Sequence, residues 1–242
     1  MAPFRPTARG LTPDPHGFSI QIPIARSAAL EGELAVPEQA TGIVLFAHGR
    51  GSSRHSERDR LVARALRRAG VGTLLFDLLT PAESHAERLS SQRRTDVTLL
   101  TERLLFAMHW LREQTPHGAL PIGYYGAGTG AAAALRAAAL APEAVRAVVA
   151  RSGRPELAAE LLGSVQAPTL LLVGGADEPA LARNREAFAR IRAPKQLEIV
   201  PGASHLFEEP GTLAKLSELA TGWLAGAFAS PPREDDERHT LS

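Results

Sequence analysis

The sequence contains no cysteine, which excludes disulfide bonds and metal sites built from thiolate ligands. It also contains no uninterrupted apolar run of the roughly 18 residues that a membrane-spanning helix needs. The first 17 residues lack the apolar stretch that is typical of a signal peptide. We therefore expect a cytoplasmic protein that has no membrane partner.

Charge of one sign is also scarce, because the 242 residues carry a formal net charge of only +1. A chain so nearly neutral has no strong electrostatic attraction to nucleic acid or to an anionic membrane. The histidines show no metal-ligand spacing such as H-E-x-x-H. We expect no nucleic-acid partner, no metal and no cofactor.

Predicted strands and helices alternate along most of the chain. Segments 18–24 and 29–37 alternate in polarity and predict an antiparallel pair of strands. The later strands are short apolar runs, and the helices have apolar residues at helical spacing. The predicted strands are 42–49, 71–77, 121–125, 145–150, 168–175 and 195–202, and the predicted helices are 56–69, 94–114, 129–141, 155–163, 180–191 and 211–227. This alternation predicts an α/β fold, with a mostly parallel central sheet and helices on both faces.

The composition predicts one domain over residues 18–229, since the chain shows neither an internal repeat nor a change in composition. We expect residues 1–17 to form an irregular lead-in and the polar residues 230–242 to form a disordered tail. Only a short helix is predicted between strands 145–150 and 168–175, which leaves no room for an inserted lid domain. Residues 78–93 are expected to form a loop over the site.

The glycine-rich turn in PIGYYGAGTGAAAALRAAAL, residues 121–140, allows two interpretations. In the first, Gly126, Gly128 and Ala131 satisfy the G-x-G-x-x-[GA] fingerprint of dinucleotide-binding proteins, and Arg151 suits the 2′-phosphate of NADP. That fingerprint normally lies in the first strand–helix–strand unit, whereas at least two strand–helix units precede it here. An NADP-binding oxidoreductase is therefore the less favoured alternative.

The second interpretation is the nucleophile elbow G-x-S-x-G, in which glycines permit a sharp turn between a strand and a helix. Gly128 occupies the position of the serine. The acid and the histidine of such a site follow later in the chain, in that order. Asp177 comes just after one predicted strand and His205 after the next, with Glu178 as the alternative acid. Because the carboxyl ends of parallel strands meet at one edge of a sheet, these residues are expected to lie near the elbow.

The oxyanion hole of such a site is expected in an earlier loop between a strand and a helix. HGRGSSRHS, residues 48–56, begins at the end of predicted strand 42–49 and is such a loop. We expect His48 to order this loop, and Ser52 and Ser53 to cap the next helix. Asp77, at the end of a strand, is expected to hold the loops together.

With these pieces in this order, the sequence resembles the α/β-hydrolase superfamily over about residues 18–228. Within it, the chain resembles the small dienelactone-hydrolase-like proteins. Members of that group read H-G-x-G-S-S-R-H-S in the first loop and G-A-S-T-G-A-A-A-A-L at the elbow. This chain reads HGRGSSRHS and GAGTGAAAAL, which departs from those motifs only at Gly128.

The resemblance implies an α/β-hydrolase fold, a Ser–Asp–His mechanism, and a small-molecule ester or lactone as substrate. It implies that Asp177 is the acid and His205 the base, and that the amides of Thr129 and Arg50 form the oxyanion hole. The residues expected to contact substrate are Gly49, Gly51 and Leu79.

Gly128 changes the expected chemistry, because glycine has no side chain with which to form an acyl-enzyme. We expect a carboxylic ester or lactone hydrolase that lacks its nucleophile and is inactive or strongly impaired. A water activated by His205 gives slow hydrolysis at best. The alternative is a non-catalytic ligand-binding protein on the same fold. Since Asp177 and His205 are both present, we favour a recent or engineered replacement of the serine.

Overall fold

The computed structural model describes residues 17–25, 28–49, 52–90 and 96–230. The strands of this described part are β1 (Phe18–Ala25), β2 (Ala28–Ala35), β3 (Ile43–Ala47), β4 (Gly72–Phe76), β5 (Ile122–Ala127), β6 (Ala147–Arg151), β7 (Thr169–Gly174) and β8 (Lys195–Val200). They form one sheet in the order β1-β2-β4-β3-β5-β6-β7-β8. β2 pairs antiparallel with both β1 and β4, and every other neighbouring pair is parallel. The predicted mostly parallel sheet and its antiparallel first pair are confirmed.

Helices cover both faces of this sheet, as predicted. The helices of the described residues are α1 (Glu57–Arg68), α2 (Pro81–Ser90), α3 (Val97–Gln114), α4 (Thr129–Leu140), α5 (Glu178–Arg190) and α6 (Thr212–Ala229). α1 and α6 pack in one apolar cluster with Val44 and Phe46 of β3. α3, α4 and α5 pack in the other cluster with Ile43 and Leu45 of the same strand. Successive β3 residues thus enter opposite cores, as the two-residue repeat of a strand requires.

The connection between β6 and β7 is fully described and contains no lid domain. It holds two short 3₁₀ turns, Pro155–Ala158 and Leu162–Ser164, where the sequence predicted one helix over 155–163. The absence of a lid domain is confirmed, but the single helix is wrong. No inserted domain therefore covers the edge of the sheet from this connection.

The segment predicted as a loop over 78–93 contains α2, so that prediction is wrong. The reason is a capping box formed by Thr80 and Glu83. The Glu83 N–H donates to Thr80 Oγ1 at 3.2 Å, and the Thr80 N–H donates to Glu83 Oε2 at 2.9 Å. Pro81 stands at the first helical position, which favours the start of a helix.

The N-cap of α1 is Ser56, which corrects the expectation for Ser52 and Ser53. Ser56 Oγ accepts a hydrogen bond from the Asp59 N–H at 3.3 Å, whereas Ser53 Oγ accepts from the His55 N–H within the preceding turn. Serine caps a helix only from the residue that precedes its first turn, and three further residues separate Ser53 from that turn.

The predicted lead-in and tail fall on residues outside the described part of the chain, apart from Gly17 and Ser230. Within the described ranges, none of the helices combines the length and the apolar character needed to cross a bilayer.

Candidate active site

The turn between β5 and α4 is sharp and is centred on Gly128. This residue has φ +56° and ψ −120°, a left-handed conformation that side chains rarely adopt. Its N–H donates to the Arg151 carbonyl at 3.2 Å, and its own carbonyl accepts from the Arg154 N–H at 3.1 Å. The last residue of β6 and a residue of the connection after it therefore hold both peptide groups of Gly128.

The glycines on either side of Gly128 are required by close packing, whereas Gly128 itself has space beside it. A Cβ at Gly126 would lie 2.5 Å from Ala131 Cα, and a Cβ at Gly130 would overlap the Ala47 carbonyl oxygen. A Cβ at Gly128 would meet only Gly49 Cα among the described residues, at 3.9 Å. Position 128 can thus hold the first carbon of a side chain, although its left-handed φ makes any side chain strained.

Asp177 and His205 lie together beyond the ends of the neighbouring strands β7 and β8. His205 Nδ1 is 2.7 Å from Asp177 Oδ2, which places the Nδ1 proton in a hydrogen bond to the carboxylate. The neutral ring then has a lone pair on Nε2 that can accept a proton. The His205 side chain is 52% exposed and that of Asp177 is 11% exposed, so the ring faces solvent while the carboxylate is enclosed.

Asp177 is also the N-cap of α5. Its Oδ1 accepts a hydrogen bond from the Ala180 N–H at 3.2 Å. An aspartate directly before a helix can act as its N-cap, and an aspartate after a strand can act as the acid of a catalytic site. The structure shows that the two contacts coexist, because each carboxylate oxygen has a different partner.

Two contacts that the sequence analysis missed fix the segment that carries His205. Ser152 Oγ donates to the His205 carbonyl at 3.2 Å, and Ser152 itself has a left-handed φ of 42°. The Ser204 N–H donates to Glu209 Oε2 at 2.9 Å, and this hydrogen bond lowers the pKa of Glu209. The available signal for Ser152 was its position directly after β6, at the edge of the sheet where the site lies.

The loop after β3 approaches the elbow closely at Gly49. A Cβ on Gly49 would lie 2.7 Å from the Ala127 carbonyl oxygen and 3.3 Å from the Thr129 nitrogen. Thr129 is the first residue of α4, so its N–H has no carbonyl partner within the helix. The predicted oxyanion residue Arg50 and the predicted substrate contact Gly51 lie outside the described residues.

A network around Asp77 ties the same loop to the sheet. Asp77 accepts a hydrogen bond from the Arg54 N–H at 2.9 Å and forms an ion pair with the Arg54 guanidinium. The guanidinium also contacts Glu31 on β2 at 2.6 Å. His48 Nε2 lies 3.3 Å from the Leu78 N–H and 3.4 Å from Asp77 Oδ1. These contacts agree with the expectation that His48 and Asp77 order the loops.

The same network sets the ionisation of Asp77. Burial by itself would raise the pKa of this carboxyl group, but hydrogen bonds from His48 and from the Arg54 backbone, together with the charges of both residues, lower its pKa to about 2. Asp77 is therefore a fixed negative charge under the loop, because it ionises far below neutral pH.

Most of the chain matches a known protein family. The family model described as the dienelactone hydrolase family matches residues 30–222. The chain belongs to this family. Its α/β-hydrolase fold and its resemblance to dienelactone-hydrolase-like proteins are thereby confirmed.

Curated proteins that are similar to this chain are named for a different activity. A putative phosphoribosyl transferase of Mycobacterium tuberculosis, found in two strains, is 51% identical over 208 residues. The match covers 86% of this chain and 46% of the relative, so the chain spans about half the length of the curated relatives it matches.

Solved structures of similar proteins extend the comparison. A dienelactone hydrolase from Anabaena variabilis is 48% identical, with a TM-score of 0.84 over 86% of this chain and 96% of that chain. XC6422 from Xanthomonas campestris, described as an α/β serine hydrolase without a lid, is 20% identical, with a TM-score of 0.70 over 96% of this chain and 100% of that chain. At that identity, the second structure supports the fold alone.

The substrate contact predicted at Leu79 needs correction in this family member. Leu78 is completely buried and Leu79 is 2% exposed, so neither offers surface to a ligand. Both residues lie shortly after the end of β4, and their side chains are buried in the interior. Burying a leucine stabilises the fold by about 2 kcal/mol. Leu89, on α2, is by contrast 86% exposed.

An open groove of about 700 Å³ lies beside the His205 segment. Ser53 and Arg58 form part of one wall, and Phe207 and Glu208 form part of the other. Arg58 and Glu208 approach each other across it to 3.6 Å. Gly128, Asp177 and His205 are not among the residues that line this groove.

Arg151 does not occupy the position that the NADP interpretation requires. It is only 6% exposed, and its guanidinium lies 4.0 Å from buried Asp59. A phosphate would have to displace this internal contact in order to reach the guanidinium. The glycine turn, moreover, follows the fifth strand of the described residues and not the first.

Proposed function

We propose that this family member has a serine-hydrolase-type site for small carboxylic esters or lactones, and that Gly128 strongly reduces its hydrolytic rate. The observation that carries the proposal is the hydrogen bond between Asp177 and His205, beyond the strand ends at the same edge of the sheet as the Gly128 turn. In this assignment His205 is the base and Asp177 orients it. We also assign the oxyanion hole to the amides of Thr129 and Arg50, substrate contacts to Gly49 and Gly51, and the cytoplasm as its location.

The chemistry of the site follows from the tautomer that Asp177 imposes. The Nδ1 proton of His205 is held by the carboxylate, so Nε2 accepts the proton of the attacking group. Glycine supplies no hydroxyl group, so the attacking group in this chain is water. The water oxygen adds to the carbonyl carbon and forms a tetrahedral intermediate. The bond between this carbon and the alkoxy oxygen of the ester or lactone then breaks, and that oxygen receives the proton from the protonated His205.

Proteases with a Ser–His–Asp triad indicate how far the loss of serine lowers kcat. Loss of the nucleophilic serine there lowers kcat by about a millionfold, which corresponds to about 8 kcal/mol of activation free energy. Substrate binding and the oxyanion hole still accelerate the reaction by about 10³–10⁴ over water. The chain with Gly128 should therefore be slow but faster than the uncatalysed reaction.

The decisive experiment compares this chain with its Gly128→Ser variant on a short-chain p-nitrophenyl ester. We expect serine to raise kcat by at least a thousandfold, because Asp177 and His205 already form the hydrogen bond that a triad requires. Adding His205→Ala to Gly128→Ser should remove that gain. If serine adds nothing although the variant is folded by circular dichroism, the hydrolase assignment is wrong.

The alternative function is ligand binding without catalysis, and Gly128 is the observation that favours it. The same comparison separates the two, since a site that only binds gains no turnover from Gly128→Ser.

The name of the Mycobacterium tuberculosis relatives suggests phosphoribosyl transfer, but it describes proteins about twice as long as this chain. An NADPH fluorescence titration tests the dinucleotide alternative, and the burial of Arg151 leads us to expect no saturable binding.

A further inference from the structure

The space beside Gly128 can hold the first carbon of a side chain. A carbon placed there would touch only Gly49 Cα among the described residues, at 3.9 Å, which is an ordinary van der Waals distance. At Gly126 and Gly130 the corresponding space is filled by backbone atoms of Ala131 and Ala47. Of these three elbow glycines, then, only Gly128 leaves room for a further group.

Groups that suit acyl transfer lie at this edge of the sheet. His205 binds Asp177 through Nδ1, which leaves Nε2 to accept a proton, and 52% of its side chain is exposed. The Thr129 N–H begins α4, where the helix dipole favours negative charge. The proposed machinery requires an attacking hydroxyl group, and nothing in it requires that this group be covalently attached to the chain.

We propose that this chain transfers acyl groups from esters to a short primary alcohol, and that methanol, as a free molecule beside Gly128, replaces the missing side chain. Methanol has the same two heavy atoms as the side chain of serine, one carbon and one oxygen. The inference rests on the proposed function, because it uses the same ester site and the same base.

The reaction is balanced without any redox partner. His205 Nε2 takes the hydroxyl proton of methanol while the methanol oxygen forms a bond to the carbonyl carbon of the ester. The tetrahedral intermediate then breaks its bond to the leaving alcohol, which receives the proton from His205. The products are a methyl ester and the free alcohol of the original ester.

The expected rate is small because the alcohol is not tethered. Attachment of a reacting group in the correct geometry is equivalent to an effective concentration of about 10⁵–10⁸ M. If the serine raises kcat by about a millionfold, methanol at about 1 M should raise the rate by up to roughly tenfold over the reaction with water. Larger alcohols should recover less, because they have more heavy atoms than the serine side chain that they would replace.

The test follows p-nitrophenyl acetate with the unaltered chain at increasing methanol concentrations. p-Nitrophenol release is measured by absorbance and methyl acetate by gas chromatography. We expect release to rise up to about tenfold at about 1 M methanol, with methyl acetate accounting for the increase. Ethanol should give a smaller increase and 1-propanol none.

Matched variants identify the site of the reaction. Gly128→Ala places a carbon in the proposed space and should abolish the methanol effect, and His205→Ala should abolish it by removing the base. Because alanine at φ +56° is strained, its folding is checked by circular dichroism. The alcohol series on the unaltered chain tests the inference even if this variant does not fold.

Two results would overturn the inference. The first is a methanol effect no larger than that in buffer alone, and the second is an equal effect with 1-propanol or with folded Gly128→Ala. If Gly128→Ser hydrolyses the ester while methanol has no effect on the unaltered chain, only this inference fails. If Gly128→Ser is also inert, the proposed function fails with it.

Discussion

Asp177 Oδ2 lies 2.7 Å from His205 Nδ1, while the other oxygen of the same carboxylate caps α5 at the Ala180 N–H. One side chain therefore orients the candidate base and stabilises the start of a helix. These two roles have different chemical requirements, since a cap needs only an oxygen acceptor, whereas the histidine needs a charged acceptor that holds its Nδ1 proton.

The first prediction separates these two roles by substituting Asp177 in the Gly128→Ser background. Asp177→Asn keeps a good capping oxygen, so the free energy of unfolding should change by only a few tenths of a kcal/mol. Its kcat should fall by about 10³–10⁴, because the amide does not hold the required tautomer of His205. Ester kinetics and urea unfolding measure the two effects.

Asp177→Ala is the matched control for this prediction. It should lose a similar amount of activity and, in addition, about 1 kcal/mol of unfolding free energy, since it removes the cap. Full activity in Asp177→Asn would rule out the proposed role of the carboxylate, and equal stability of the two variants would rule out the cap.

The second prediction concerns the pH dependence of the Asp77 network. The pKa of Asp77 is lowered from 3.8 to about 2, so the folded protein favours its charged form. Its contribution to stability is fully present above pH 3.8 and is lost as the pH falls towards 2. We expect it to be at most about 2 kcal/mol, and less after solvent screening of the partly accessible carboxylate.

Urea unfolding of the protein and of Asp77→Asn between pH 3 and pH 7 measures this contribution. The difference in unfolding free energy should be constant above about pH 4 and should shrink as the pH falls below it. A difference that stays constant down to pH 3 would contradict the lowered pKa. Glu208→Gln is a suitable control, because this residue is 65% exposed and lies outside the network.

The third prediction concerns the close approach of α4 to β3. Gly130→Ala should lower the unfolding free energy by about 3 kcal/mol or more, because its Cβ would overlap the Ala47 carbonyl oxygen. Helix propensity alone predicts the opposite sign, since alanine favours a helix by about 1 kcal/mol over glycine. Thermal and urea unfolding decide between the two.

Gly226→Ala, in the interior of α6, is the matched control. A Cβ there would meet no atom of the described residues within 4 Å, so propensity alone should act. We expect it to stabilise the protein by about 0.5–1 kcal/mol. If Gly130→Ala also stabilises, the described contact between α4 and β3 is wrong.

Local signals in the sequence predicted most of the helices and strands, and the exceptions have local causes. The start of α2 was missed because the Thr80–Glu83 capping box was not recognised, although the letters TPAE contain it. The cap of α1 was placed too early, at Ser52 or Ser53, because three serines precede that helix and only the helix start selects Ser56. The burial of Leu79 depends on packing under the sheet edge, which the sequence does not show.

The sequence by itself determined the alternation of strands and helices, the glycine turn without a serine at Gly128, and the chain order of the candidate acid and base. These follow from side-chain periodicity and turn chemistry, which act over a few residues. Only the tertiary structure decided that Asp177 contacts His205 across 28 residues of sequence, and that Ser152 and Arg54 brace the loops of the site. The reason is that the order and register of the strands decide which loops meet at a sheet edge, and these are set by packing over the whole domain.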